Sequence, residues 1–192
     1  MKNIVRIFVG LIIASSLTSC GYNSMVEKRE SVNNAWGNVE SAYQRRADLI
    51  GNLVETVKGA AKFEQTTLTQ VVEARAKATS IQVDANNLTE ENLEKYSAAQ
   101  DELKGSLSRL LVSVEAYPEL KATQNFQELQ AQIEGTENRI NTERNRFNDA
   151  VGDYNAYIAK IPQSIYSGWF GFTPKAYFKA SAGAEKAPEV KF

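Results

Sequence analysis

The chain of 192 residues contains no histidine and a single cysteine. The missing histidines remove the usual general base, the commonest metal ligand and the side chain that titrates near neutral pH. One cysteine excludes an intramolecular disulfide. Proline occurs four times and never before residue 118, and glycine is also sparse at 11. Long helices suit that scarcity, because proline removes a backbone donor and clashes inside a helix. The formal charge is −1, which gives no electrostatic reason to expect nucleic acid as the main partner. No serine-nucleophile motif, glycine-rich phosphate loop or Cys/His metal spacing is present. What remains is one domain's length of chain, 43% hydrophobic and 23% charged, large enough to bury a real core.

The first twenty residues differ from the rest. Lys2 and Arg6 give a basic start, and an apolar run over 7–14 follows. The run is shorter than the ~20 residues a spanning helix needs, so the layout reads as a secretory signal peptide over 1–19. Leu17-Thr18-Ser19-Cys20 resembles a bacterial lipobox. That resemblance implies a diacylglyceryl thioether on Cys20, cleavage before it and acylation of the new amino terminus. The mature chain from Cys20 is then expected to be lipid-anchored, facing the periplasm or exterior. Gly21 carries no acidic inner-membrane retention signal of the kind some bacteria use, which leans the expectation towards the outer membrane.

From Met25 onward, alternating steps of four and three residues reach Arg29, Val32, Trp36, Val39, Tyr43, Arg46, Ile50, Leu53 and Val57, and continue to Ala78. A narrow apolar seam repeating every seven residues is the pattern of bundled helices. Asp48 resembles an N-cap, so a break near Ala47-Asp48 is expected to divide helices over 23–46 and 49–80. The rival is one unbroken helix over 23–80, since the register survives the junction. A polar connection over 83–89 ends in Thr89-Glu90-Glu91-Asn92, a cap with an acidic first turn. A third helix carries Leu93, Tyr96, Leu103, Leu107, Leu110, Leu111 and Val114, and Pro118 disfavours helical geometry before it. A fourth covers 125–159, with Phe126, Leu129, Ile133, Ile140, Phe147, Val151, Tyr154 and Ile158 inward, and Pro162 follows.

The expected fold is all-α: an antiparallel up-and-down four-helix bundle of long, matched helices over 20–160. An aromatic tail over 161–180 caps the bundle's end, and 181–192 is a flexible C-terminus. Four helices return the tail to the Cys20 end, whereas three would leave it at the far end. One echo recurs, an aromatic residue, then Asn, then an apolar residue three further on, at Tyr22-Asn23, Phe147-Asn148 and Tyr154-Asn155. The Asn side chains are read as register devices bonding to a neighbouring helix.

The stretches Tyr22-Asn23…Val26…Arg29-Glu30…Val32…Ala35-Trp36…Val39-Glu40 and 44–59 (QRRADLIGNLVETVKG) are similar to the LemA family. Phe147-Asn148…Val151…Tyr154-Asn155…Ile158, Pro162, Phe170-Gly171-Phe172, Tyr177-Phe178 and the closing Pro188…Val190…Phe192 agree. The resemblance implies a membrane-anchored helical bundle with an outward-facing soluble domain and no established enzymatic activity. Association of some relatives with membrane proteases by gene neighbourhood hints at membrane quality control. Two departures stand out: Gly51 replaces a usual proline, and Phe63-Glu64 stands where a histidine usually precedes the glutamate.

Candidate sites follow from chemistry. Cys20 is the lipidation site. Trp169, Phe170, Phe172, Tyr177 and Phe178 are candidates for partner or membrane contact, with Lys160, Lys175 and Lys179 facing anionic headgroups. Arg45, Arg46 and Asp48 would surround the helical corner, binding an anion or closing the turn. Among Glu55, Glu64 and Glu73, only Glu64 lies on the seam, where it would need Arg75, Arg144 or Arg146 as partner. The expected protein is a non-catalytic adaptor or scaffold of the bacterial envelope, without metal or cofactor. Its envelope partner could be a membrane protease, and self-association is open. The competing expectation is direct lipid binding or membrane remodelling through the aromatic tail.

Overall fold

The structure, a computed structural model, describes residues 2–59 and 64–179, with side chains described from Gly21 onward. The chain is all-α, and no strand occurs among the described residues. Helix α1 (Lys2–Lys58) is followed by α2 (Gln65–Ser80), α3 (Glu90–Val114), a short α4 (Pro118–Lys121), α5 (Gln124–Ala159) and a single turn, α6 (Gln163–Tyr166). Two 3-10 turns, Ala85–Asn87 and Gly168–Phe170, complete the helical elements.

The heptad seam of α1 is buried as its spacing requires. Met25, Val32, Val39, Ile50, Leu53 and Val57 are fully enclosed, and Trp36 and Tyr43 nearly so. Burying each large apolar side chain contributes about 1.5–3 kcal/mol. The expected corner at Ala47-Asp48 does not exist. Helix α1 runs straight through it because nothing there costs the helix a hydrogen bond. Asp48 accepts from Gln44 Nε2 one turn back (2.9 Å) rather than capping new amides. Arg75 Nε reaches across from α2 to the Ala47 carbonyl (2.7 Å).

Helix α1 ends at Lys58 and α2 begins at Gln65. Lys58, in the last turn, pairs with Glu55 (2.7 Å), a cation where the helix dipole favours one. Glu64 precedes α2 in an extended conformation and accepts from Thr67 Oγ1 (3.3 Å). It is exposed, so the expected buried Glu64 ion pair is absent: Glu64 stands at the N-cap position of α2, outside the helix faces that meet the core. The helices are also unequal, since α2 has 16 residues against 36 in α5.

That inequality divides the core in two. Half of the bundle is filled by Leu49, Ile50, Leu53 and Val57 of α1, Leu68 and Val71 of α2, Leu103, Leu107 and Leu110 of α3, and Phe126 and Ile133 of α5. The other half, towards Gly21, brings Met25, Val32, Trp36 and Val39 against Phe147, Val151, Tyr154 and Ile158 of α5. Helix α2 does not extend over this half. Val83 and Leu88 of the connection and Phe172 and Phe178 of the tail fill the space instead. Trp36 is its centre, edge-on to Tyr96 (5.3 Å) and Phe147 (5.6 Å) and stacked on Phe178 (5.9 Å). Its indole Nε1 donates to the Val83 carbonyl (3.2 Å). The connection is held by Asp84, which accepts from the Asn86 amide (2.8 Å), and by Thr89, which caps α3 through the Asn92 amide (3.3 Å).

Between the two cores lies a polar layer. Arg46, on the seam and 2% exposed, donates to Glu137 Oε1 (2.6 Å) on α5 and to the carbonyl (3.1 Å) and Oε1 (2.7 Å) of Gln100 on α3. Gln100 Nε2 passes the chain on to the Ala78 carbonyl of α2 (3.3 Å). One guanidinium thus ties four helices at a single height, the role of a polar seam residue that fixes register.

Candidate functional site

Beyond α5 the chain turns along its own bundle. Gly171, with φ +74°, adopts a left-handed conformation that a side chain would oppose. The turn separates two kinds of ring. Trp169 (82% exposed) and Phe170 (56%) stay outside, while Phe172 enters the core. From there residues 172–179 run extended beside α5, held by two asparagines. Asn155 Oδ1 accepts from the Lys175 amide and its Nδ2 donates to the Lys175 carbonyl. Asn148 treats Phe178 identically (2.9 and 3.1 Å). Seven helical residues rise about 10.5 Å. Three extended residues span about 10 Å. The helical and extended repeats therefore match, and each amide side chain substitutes for a neighbouring strand. The asparagines bond to the tail rather than to another helix, and Asn23, the third of the echo, is exposed.

The opposite edge of the tail is stitched to the connection. Ala176 donates its amide to the Leu88 carbonyl (3.1 Å), and Lys175 Nζ donates to the carbonyls of Ala85 (3.0 Å) and Asn86 (2.6 Å). Burial holds the Lys175 amine below the usual lysine range, and the nearby Arg29 charge acts in the same direction against Asp84. Lys179 bridges to Glu90 and Glu94, and its hydrogen bond holds the Glu90 carboxyl below the usual range. Neither lysine is available for headgroups as expected, since backbone carbonyls and carboxylates already occupy them.

The five tail aromatics therefore separate. Phe178 (6% exposed) and Phe172 (3%) are core residues, Phe172 lying between Tyr22 (5.6 Å) and the Arg29 guanidinium (5.1 Å). Their expected role as surface contacts fails because both rings are buried in the half-core around Trp36, where every third tail residue (172, 175 and 178) turns inward. Tyr177 faces outward along the side of α5, near Gly152. Trp169 and Phe170 share the Gly21 end with Tyr22, Ile161 and Ile165, all exposed, and Phe170 meets Tyr22 edge-on (5.3 Å). Ile161, Ile165 and Tyr22 extend the surface beyond the residues singled out in sequence; their signal was two apolar residues beside Pro162 that no seam explained. Exposed apolar residues concentrated in one place mark an interaction surface, whereas scattered ones need no explanation.

Arg45, Arg46 and Asp48 do not form an anion site at a helix start, because α1 is continuous there. Arg46 is consumed in the buried layer, and Arg45 donates to Gln132 Oε1 (3.3 Å). Beside them an open cleft of about 910 Å³ runs between α1, α2 and the connection, with Glu40, Tyr43, Tyr96 and Gln100 in its wall. Burial raises the Glu40 carboxyl above the usual range and pushes both tyrosine hydroxyls up. Such tyrosines stay protonated at neutral pH, and the hydroxyls of Ser41 and Thr79 in the same wall donate to the carbonyls of Gly37 (2.8 Å) and Arg75 (2.9 Å) one turn back. Among the described residues, no group of three or more His, Cys, Asp or Glu could hold a metal ion. The side chain of Cys20 and residues 181–192 lie outside the described residues.

Protein LemA of Metamycoplasma hominis is 23% identical over 147 residues, 77% of this chain and 60% of that protein. Magnetosome protein MamQ 2 of Paramagnetospirillum magneticum is 24% identical over 177 residues, and magnetosome protein MamQ of Magnetospirillum gryphiswaldense 24% over 176. Each of these two alignments covers 82% of this chain and 64% of the relative. The chain thus spans less than two thirds of the length of these relatives. The LemA family profile matches residues 35–192, taking in the α1 seam from Ala35, the polar layer and the asparagine-clasped tail, and the chain belongs to the LemA family.

Proposed function

We propose that this protein is a non-catalytic, lipid-anchored bundle of the bacterial envelope, held to the membrane through acylated Cys20, with its exposed aromatic end against the bilayer. One observation carries the reading: Tyr22, Ile161, Ile165, Trp169 and Phe170 are exposed together at the end where Gly21 lies. A tryptophan and neighbouring apolar side chains suit the interfacial zone of a bilayer. Among the described residues no helix is long and apolar enough to cross a membrane. The lipobox-like Leu17-Thr18-Ser19-Cys20 supports anchoring through lipid. Relatives named LemA and magnetosome protein MamQ support a membrane-associated bacterial setting. From such an end, α1 beyond residue 20 and α5 each project for about 55 Å. Their outer faces present an adaptor surface to an envelope protein, with a membrane protease as the first partner to test.

Vesicle flotation of the non-acylated chain (residues 1–19 removed, Cys20→Ser) tests the bilayer contact. Weak binding to anionic vesicles that disappears with Trp169→Ala supports it, and no binding at any lipid composition sinks it. In-cell crosslinking of the acylated protein tests the adaptor role. A stoichiometric envelope protein linked through α1 or α5 establishes that role, and recovery of self-links and lipid alone replaces it with direct membrane action.

A further inference from the structure

At the Gly21 end, two buried polar atoms have no partner: the hydroxyl of Tyr166 and Oε1 of Gln163. Tyr166 is 8% exposed. Unpaired buried oxygens are uncommon because each forfeits its hydrogen bonds to water. Both residues abut α1 at one position. A Cβ on Gly21 would lie 2.2 Å from Tyr166 Oη and 3.8 Å from Gln163 Nε2, so only glycine allows this approach. Gln163 Nε2 donates to Tyr157 Oη (3.3 Å). That bond orients the amide and leaves its oxygen as a bare acceptor.

In the unprocessed chain α1 passes through Cys20 without interruption. The amides of residues 20–23 then bond to carbonyls one turn earlier, at 16–19. Hydrolysis of the Ser19–Cys20 bond consumes one water and leaves a carboxylate on Ser19 and an amine on Cys20. It also removes those four carbonyls, so the new helix start has four donors without partners. The two waiting acceptors are at that place.

We propose that Gln163 and Tyr166 form a built-in cap that receives the amino terminus of the processed chain, accepting from the amides at Cys20, Gly21 and Tyr22. This inference rests on the lipoprotein reading given above. N-acylation of Cys20 strengthens the logic, because it turns an ammonium, unfavourable at the positive end of a helix, into a neutral amide. The cap would also connect processing to the surface next to it. Tyr166 lies edge-on to Phe170 (6.2 Å), so a terminus seated on α6 positions the exposed rings beside the lipid-bearing residue.

The test uses full chain expressed in an acylating bacterium and purified from membranes. Mass spectrometry of the N-terminal peptide comes first. An uncleaved chain overturns the lipoprotein reading and the cap with it, whereas an acylated Cys20 leaves the cap to be decided by amide exchange. In the mature protein, Tyr166→Phe and Gln163→Leu are expected to speed exchange at Gly21 and Tyr22 by about tenfold each, with exchange around Phe147 unchanged. The same substitutions in an uncleaved Cys20→Ala chain are expected to change nothing there. Equal effects in both forms, or none in the mature form, overturn the cap. Gly21→Ala provides a second check: it should loosen the mature terminus, with Tyr166→Phe recovering part of the loss by removing the clashing oxygen. Wild-type exchange in Gly21→Ala contradicts the geometry.

Discussion

Asn155 and Lys175 hold each other by two reciprocal hydrogen bonds: the Lys175 amide donates to Asn155 Oδ1 at 2.9 Å, and Asn155 Nδ2 donates to the Lys175 carbonyl at 2.8 Å. An asparagine on a helix thereby completes an extended segment as a strand neighbour would. Replacing Asn155 by Ala strands a backbone donor and an acceptor in a half-buried setting and is expected to lower stability by about 1–3 kcal/mol. Asn148→Ala should act similarly at Phe178. The two clasps hold one segment, so the double variant should depart from additivity in urea unfolding.

The Arg46 layer predicts a difference between two truncations. Arg46→Ala leaves Gln100 and Glu137 facing a cavity and is expected to cost about 3 kcal/mol or more. Arg46→Met fills the space and should cost less, because it leaves a smaller cavity and Glu137 keeps Lys104 as a partner (3.4 Å). Equal losses in chemical denaturation would show that the guanidinium's hydrogen bonds, rather than its volume, dominate.

Two aromatic substitutions close together in sequence should behave oppositely. Trp169→Ala removes an exposed ring, with an expected effect on unfolding within about 0.5 kcal/mol and a loss of vesicle binding. Phe172→Ala empties a buried site and is expected to cost about 3–5 kcal/mol. Thermal unfolding and flotation, read together on both variants, separate the proposed membrane surface from the core beneath it.

Glu40 gives a pH signature. Burial raises its folded carboxyl pKa above the unfolded value. In the window just above the ordinary glutamate range, the folded state therefore holds more protons than the unfolded state, and this group's contribution to stability falls as pH rises. Glu40→Gln removes that fall. The variant should melt higher than wild type at pH 7, and the advantage should shrink towards pH 4; an unchanged difference across the range assigns the effect to something other than this titration.

The seam from Met25 to Val57 is legible because it is a one-dimensional pattern: a helix facing a core must repeat its apolar positions, and α1 does so except at Arg29 and Arg46. The end of α1 is not. Asp48 carries the chemistry of a cap, but a capping residue acts only where the backbone leaves the helix, and Gln44 satisfies it within the turn. Gly59 after Lys58 held the competing signal, a glycine behind a basic last turn. The tail's aromatic character is plain in the sequence, and Trp169 and Phe170 are exposed, but the sequence does not distinguish its inward rings. An extended segment alone on a helix pair has no ladder of its own. Its partners, Asn148 and Asn155, show a helical spacing that does not reveal whether a helix or a strand lies opposite.

The stacking of Phe178 on Trp36 joins an early part of the chain to the last segment described. On the lipoprotein reading proposed above, the half-core around Trp36 cannot close during export until residues 172–179 have emerged, long after α1 becomes available for lipidation. The anchor would therefore be set before the domain beside it is complete. A chain cut short anywhere before Phe178 would remain tethered while displaying the indole face that folding should hide, a ready mark for degradation at the membrane.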